Sequence, residues 1–128
     1  MRLRFLGIDT GKDGCPTLYA SDRDSYVIQG WRVNDPVLVA RLDLAPGETC
    51  VEVPGRLLTF LETDGLAEVP ANVPVPFLRT DKGTYLFKGP EVTDPEALSQ
   101  MDIPAHETVV EVPKRLMTNL AREVAWSG

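Results

Sequence analysis

Few residues of this chain have the type and spacing to do chemistry, and each must be weighed against its neighbours. The run Gly7-Ile8-Asp9-Thr10-Gly11-Lys12-Asp13 has the glycines and lysine of a phosphate cradle. It is one residue short between its glycines, and Asp13 stands where a magnesium-binding hydroxyl is required. A carboxylate there repels phosphate, so the run reads as a solvated turn. His106 is the sole histidine. It could serve as a base near neutral pH, but an exposed loop position is the plainer reading. Cys15 and Cys50 are the two cysteines and lie in no metal-ligand spacing. A reactive thiol needs a lowered pKa, and only Lys12 offers a positive charge near Cys15. Nucleophile, base and orienting group do not come together in the pattern. No catalytic residue is assigned, and neither a metal nor a cofactor is expected.

Carboxylates recur in pairs: Asp22 and Asp81, Asp35 and Asp94, Asp43 and Asp102, Glu48 and Glu107, Glu52 and Glu111. Paired acids can share acid–base work. Local structure accounts for several of them first. Asp22 and Asp81 fall in turns, Asp35 and Asp94 precede a proline as helix caps, and Glu52 and Glu111 lie on the outward face of a strand.

The elements that carry these residues occur twice. Sliding the chain by 59 residues aligns 17–61 with 76–120 without a gap, and 17 of the 45 pairs are identical. The densest agreement is Glu48-Thr49-Cys50-Val51-Glu52-Val53-Pro54 against Glu107-Thr108-Val109-Val110-Glu111-Val112-Pro113. Each copy begins with a hairpin whose turn is at 21–24 or 80–83, the second with glycine where a positive φ is often needed. A short helix follows, starting at Asp35-Pro36 or Asp94-Pro95. Its apolar stripe is Val39 and Leu42, or Leu98 and Met101. A half-buried strand spans 48–53, with Thr49, Val51 and Val53 on one face. After Pro54 or Pro113 a second helix is expected, with Leu57 and Leu61, or Leu116, Leu120 and Val124, on its core side.

The predicted fold is therefore α+β: two tandem ββαβα repeats packed with pseudo-twofold symmetry on antiparallel sheet. Repeat one covers 1–63 and has an extra strand at 2–6, a linker covers 64–75, and repeat two covers 76–128. A unit of this size is marginal alone, so the two copies should shield each other's apolar side in one compact unit.

Positions that differ between the copies are where an asymmetric function would reside. Tyr19, Gln29, Trp31 and Arg32 stand opposite Leu78, Lys88, Pro90 and Glu91. Tryptophan, tyrosine and arginine are common interface anchors, which makes Tyr19, Gln29, Trp31 and Arg32 the interaction candidates. Burial of Trp31 at the joint between copies is the competing reading, and Trp126 is expected to pack on the last helix. A cleft between the copies is the second possibility, with Tyr26, Tyr85 and His106 as its lining.

The chain is acidic, with a net charge of −6, and has 43% apolar and 25% charged residues. It contains no basic run, which disfavours direct binding to nucleic acid. No segment has the length of a membrane span or of a signal peptide. A cytoplasmic location without membrane association is the expectation.

Cys15-Pro16-Thr17-Leu18-Tyr19, Asp22-Arg23, Tyr26-Val27, Gln29-Gly30-Trp31, Asp35-Pro36 and Glu48-Thr49 with Glu52-Val53-Pro54 form a pattern. In it the chain resembles a group of small uncharacterised actinobacterial proteins, often encoded near helix-turn-helix regulators of differentiation. The likeness covers copy one well and copy two partly, where Gly30-Trp31 becomes Gly89-Pro90. It implies a regulatory or accessory role. The leading expectation is a non-enzymatic interaction module for a protein partner, such as a basic DNA-binding regulator. A small-molecule binder or enzyme using the cleft, and an acidic inhibitor imitating nucleic acid, are the alternatives. Monomer and homo-oligomer both remain open.

Overall fold

A computed structural model describes residues 1–8, 16–64 and 77–117. The expectations for Cys15, for Leu120, Val124 and Trp126, and for all of the linker but Asp64 lie outside the described residues. Seven strands are present among them: β1 Leu3–Ile8, β2 Thr17–Ser21, β3 Ser25–Arg32, β4 Glu48–Pro54, β5 Phe77–Arg79, β6 Thr84–Pro90 and β7 Glu107–Pro113. Helix α1, Pro36–Leu42, joins β3 to β4, and α2, Pro95–Ser99, joins β6 to β7. Short 3-10 segments, Gly55–Asp64 and Lys114–Leu116, follow β4 and β7.

Local chemistry sets the joints between these elements. Asp24 and Gly83 take positive φ, 56° and 79°, in the turns before β3 and β6. Glycine makes that conformation at no steric cost, and aspartate is among the few other residues that tolerate it. Each α-helix opens on an aspartate. The side chain of Asp35 accepts from the Val37 amide at 2.9 Å, and that of Asp94 from the Ala97 amide at 2.9 Å. Proline fills the first helical position in both, where no amide partner is needed.

The result is a mostly-β fold, which corrects the α+β expectation of two packed ββαβα repeats. Two findings overturn it. The expected second helix of the first half is a 3-10 segment, and the described start of the one in the second half, Lys114–Leu116, is 3-10 as well. The long strand pairings, moreover, run between the two halves. Strand β3 meets β4 only at Trp31↔Glu52 and Arg32↔Val51. It pairs with β7 from Ser25↔Pro113 to Trp31↔Glu107, while β4 pairs with β6 from Glu48↔Pro90 to Pro54↔Thr84. A Glu91↔Val110 bridge joins the end of β6 to β7. Strands β3, β4, β6 and β7 therefore form a closed circuit. Strands β2 and β1 extend it beyond β3, and β5 extends it beyond β6.

The pairing register recurs at a spacing of 59 residues. Shifted by that amount, Ser25↔Pro113 becomes Thr84↔Pro54, and Arg32↔Val51 becomes Glu91↔Val110. The interior follows the same rule. Tyr26, Ile28, Val51 and Val53 from the first half meet Tyr85, Phe87, Val110 and Val112 from the second in one buried cluster. The 3-10 segment after β4 closes that cluster with Leu57, Leu58 and Leu61, all fully buried. Helix α2 covers Val27 and Val109 on the outer face of β3 and β7, and α1 covers Cys50 and Leu86 on that of β4 and β6. With both faces covered, β7 is buried from Glu107 to Val110, where a half-buried strand was expected.

The chain start is held by charge. The Met1 ammonium lies 2.8 Å from Asp94 and 2.6 Å from Glu96. These hydrogen bonds, that of Asp94 foremost, raise the ammonium from 8.0 to about 10. The same ammonium, then the Ala97 amide, lowers the Asp94 carboxyl from its usual 3.8. A raised amine stabilises the fold fully below pH 8.0, and that contribution is lost as pH rises through about 10. A lowered carboxyl stabilises above its unfolded value, and the contribution is lost as pH falls through the folded value. The contribution of this pair to the melting temperature should therefore be full between about pH 4 and 8 and decline on both sides. Asp94→Asn, which keeps a capping oxygen, should flatten both limbs of a pH series followed by circular dichroism.

Candidate functional site

Strand β3 is clamped at its end. Trp31 pairs with Glu107 on one side and Glu52 on the other, so its backbone is fixed by both neighbouring strands. The next residue, Arg32, reaches across to the loop before β7. Its amide donates to the His106 carbonyl at 3.0 Å, and its Nε donates to the Ala105 carbonyl at 3.0 Å, 73 residues away. The loop is itself closed by the Glu107 amide donating to Pro104 at 3.0 Å. Trp31, Arg32, Asn34, Ala105 and His106 line one shallow hollow of about 500 Å³. Arg32 and His106 are exposed there, and Trp31 is half-buried.

Gln29 has a different role from the one expected of it. It is buried, and its Nε2 donates to the Asp102 carbonyl at 2.8 Å and to Glu107 Oε1 at 2.7 Å. An amide that binds the loop carbonyl and a buried carboxylate together holds the 102–107 loop against β3. Gln29 positions the hollow from beneath. Tyr19 lies apart, half-buried with its ring edge-on to Phe5 at 6.1 Å, and burial raises its hydroxyl pKa. Of the four interaction candidates, Trp31 and Arg32 come together.

The cleft candidates separate. Tyr26 is fully buried beneath the Lys114 ammonium, 5.5 Å from its ring centre. Tyr85 is buried beside Phe77 and Phe87, with the Arg79 guanidinium 5.6 Å from its ring. Both tyrosines belong to the interior shared by the halves, and His106 belongs to the hollow. Position 106 was read as a loop residue, and nothing in its neighbours signalled that Arg32 would bind it.

The doubled carboxylates serve the frame. Glu111 accepts from Ser25 Oγ at 2.6 Å and from Arg23 Nη2 at 3.1 Å. Glu52 accepts from Thr84 Oγ1 at 2.7 Å. Each thus ties the end of a strand to the first residue of a strand from the other half. Glu48 accepts from the Ala45 amide at 2.9 Å and steadies the turn before its strand. Cys50 is buried under α1, which raises its thiol and disfavours the reactive thiolate. Among the described residues, no group of three His, Cys, Asp or Glu could hold a metal ion, and no helix is long and apolar enough to cross a membrane.

The hollow thus gathers an indole, a guanidinium and an imidazole on strand and loop backbone that is hydrogen-bonded in place. Comparison with protein-family models, with curated proteins and with solved structures returned no match.

Proposed function

We propose that the chain is a non-enzymatic interaction module, regulatory or accessory in role, that docks a protein partner on the Trp31, Arg32 and His106 hollow. One observation carries this reading. Two hydrogen bonds from Arg32 tie the end of β3 to the backbone of the 105–106 loop, and so bring three side chains suited to an interface, from segments far apart in sequence, to one surface. Tryptophan and arginine are the residues most enriched among energetic anchors, and a rigid site loses little entropy on binding. The net charge of −6 favours approach of a basic partner. Once docked, the partner would place an apolar side chain on Trp31 and an acceptor on Arg32. The likeness to proteins encoded near DNA-binding regulators agrees with that partner class.

Displayed peptides can be selected on the wild-type protein alone and their affinities then measured on Trp31→Ala and Arg32→Ala. The selection should yield a sequence family that binds wild type and loses at least about thirtyfold in affinity to Trp31→Ala. Because Trp31 is half-buried, its melt should shift only slightly. Peptides that bind equally well to Trp31→Ala and Arg32→Ala would refute the docking site. A collapse of the Trp31→Ala melt would move that residue's role to the core.

A further inference from the structure

A second concave site opens where β6 and β7 part company. The two backbones are bridged at Glu91↔Val110, and nearby an added Cβ on Gly89 would lie 2.4 Å from the Glu111 carbonyl. Beside this approach lies a groove of about 580 Å³, whose walls come from both halves of the chain. That volume is within the range of about 300–1,000 Å³ usual for small-ligand sites. The two halves differ at this groove. Pro90 lines it opposite Glu48, and the residue 59 positions earlier, Trp31, holds the corresponding register opposite Glu107. A proline ring thus stands where the other half carries an indole.

The charges around this groove are balanced and held. Arg23, Lys88 and Arg115 face it together with Asp24, Glu48 and Glu111. Glu111 is bound by Arg23 and Ser25, which fixes Arg23 at the rim. Lys88 Nζ donates to the Leu42 carbonyl at 2.7 Å, a neutral acceptor at the end of α1 that orients the ammonium without cancelling its charge. Val112, Pro113 and Leu116 add an apolar wall. A purely anionic ligand would meet carboxylates here, and a purely cationic one would meet arginines.

We infer that the groove binds an amphoteric ligand of the amino-acid or short-peptide class. Its carboxylate lies toward Lys88 and Arg115, its ammonium toward Glu48, and its aliphatic or aromatic side chain against Val112 and Leu116. This site is independent of the Trp31 hollow.

The probe is a set of zwitterionic dipeptides with apolar side chains, such as leucyl-phenylalanine, with free leucine and phenylalanine as a second arm. Binding is read by amide chemical-shift changes and by calorimetry. A dipeptide should shift the amides of Gly89 and Arg115, and blocking either of its termini should weaken it. Loss of one charge-assisted hydrogen bond predicts about tenfold weaker binding to Lys88→Gln. That variant keeps the frame, because Gln29 at the equivalent register already donates to a loop carbonyl. Pro90→Trp should abolish binding, and Trp31→Ala should leave it unchanged. Free amino acids binding as well as dipeptides would assign the site to a single residue. No binding by either arm, or binding indifferent to Lys88→Gln and Pro90→Trp, would overturn the inference.

Discussion

Gly89→Ala and Gly30→Ala should each destabilise the fold by about 3 kcal/mol, the upper part of the usual overpacking range. The two glycines stand 59 residues apart, at the two corners of the closed strand circuit. A Cβ on Gly30 would sit 2.7 Å from the Glu52 carbonyl and 2.7 Å from a Val53 methyl, and one on Gly89 would sit 2.4 Å from the Glu111 carbonyl. A flexible side chain could swing away, but these carbonyls belong to strand backbone held by a neighbouring strand. The corner must open, and the Trp31↔Glu52 pair or the Glu91↔Val110 bridge gives way with it. Gly47→Ala is the control. Its Cβ meets nothing within 4 Å, although φ is +82°, so its cost is conformational alone and should be about 1 kcal/mol. Urea melts of the three variants measure the difference. Equal losses at all three positions would show that close approach at the corners is not what requires glycine.

Phe87→Ala should cost about 3–5 kcal/mol, the range for truncating a fully buried aromatic ring. Phe87 is fully buried, 6.1 Å from the Phe77 ring and 6.4 Å from that of Tyr85. It belongs to β6, yet the cluster it enters includes Leu18, Tyr26 and Ile28 from the first half. The cavity would therefore loosen both halves together. The urea transition should remain a single step at lower midpoint, the same by far-UV circular dichroism and by tyrosine absorbance. A variant that splits into two transitions would mean that each half keeps its own interior.

The parts of this fold legible in the sequence are those set by chemistry within a few residues. Asp35-Pro36 and Asp94-Pro95 named both helix starts, Gly83 marked its turn, and the alternation at 48–53 marked β4. The segment 2–6 anticipated β1. Beyond the two hairpins, β2 with β3 and β5 with β6, strand partners were not legible. Strands β4 and β7 share Glu-Thr, Val-Glu-Val and Pro at matching positions, so the pattern of β3 suits either of them. Only closure of the whole circuit chooses β7. The helix expected after Pro54 was misread because Leu57 and Leu61 have helical spacing, which a 3-10 segment packed on the core also satisfies.

The candidate site was legible in the same uneven way. Trp31 and Arg32 stood out because the other half lacks them. The burial of Gln29 did not, since glutamine is ordinarily an exposed residue and its partner Glu107 lies 78 residues away. Tyr26 and Tyr85 were read as lining a cleft between the copies, whereas their rings fill the interior between the halves.

The account depends on exchange of strands between the halves, and cross-strand nuclear Overhauser effects test it most directly. Contacts between backbone protons should link 25–31 to 107–113 and 48–54 to 84–90, in the registers Val27↔Glu111 and Glu52↔Leu86. Contacts running instead between 25–31 and 48–54 along their whole length would contradict it, because each half would then be building its own sheet.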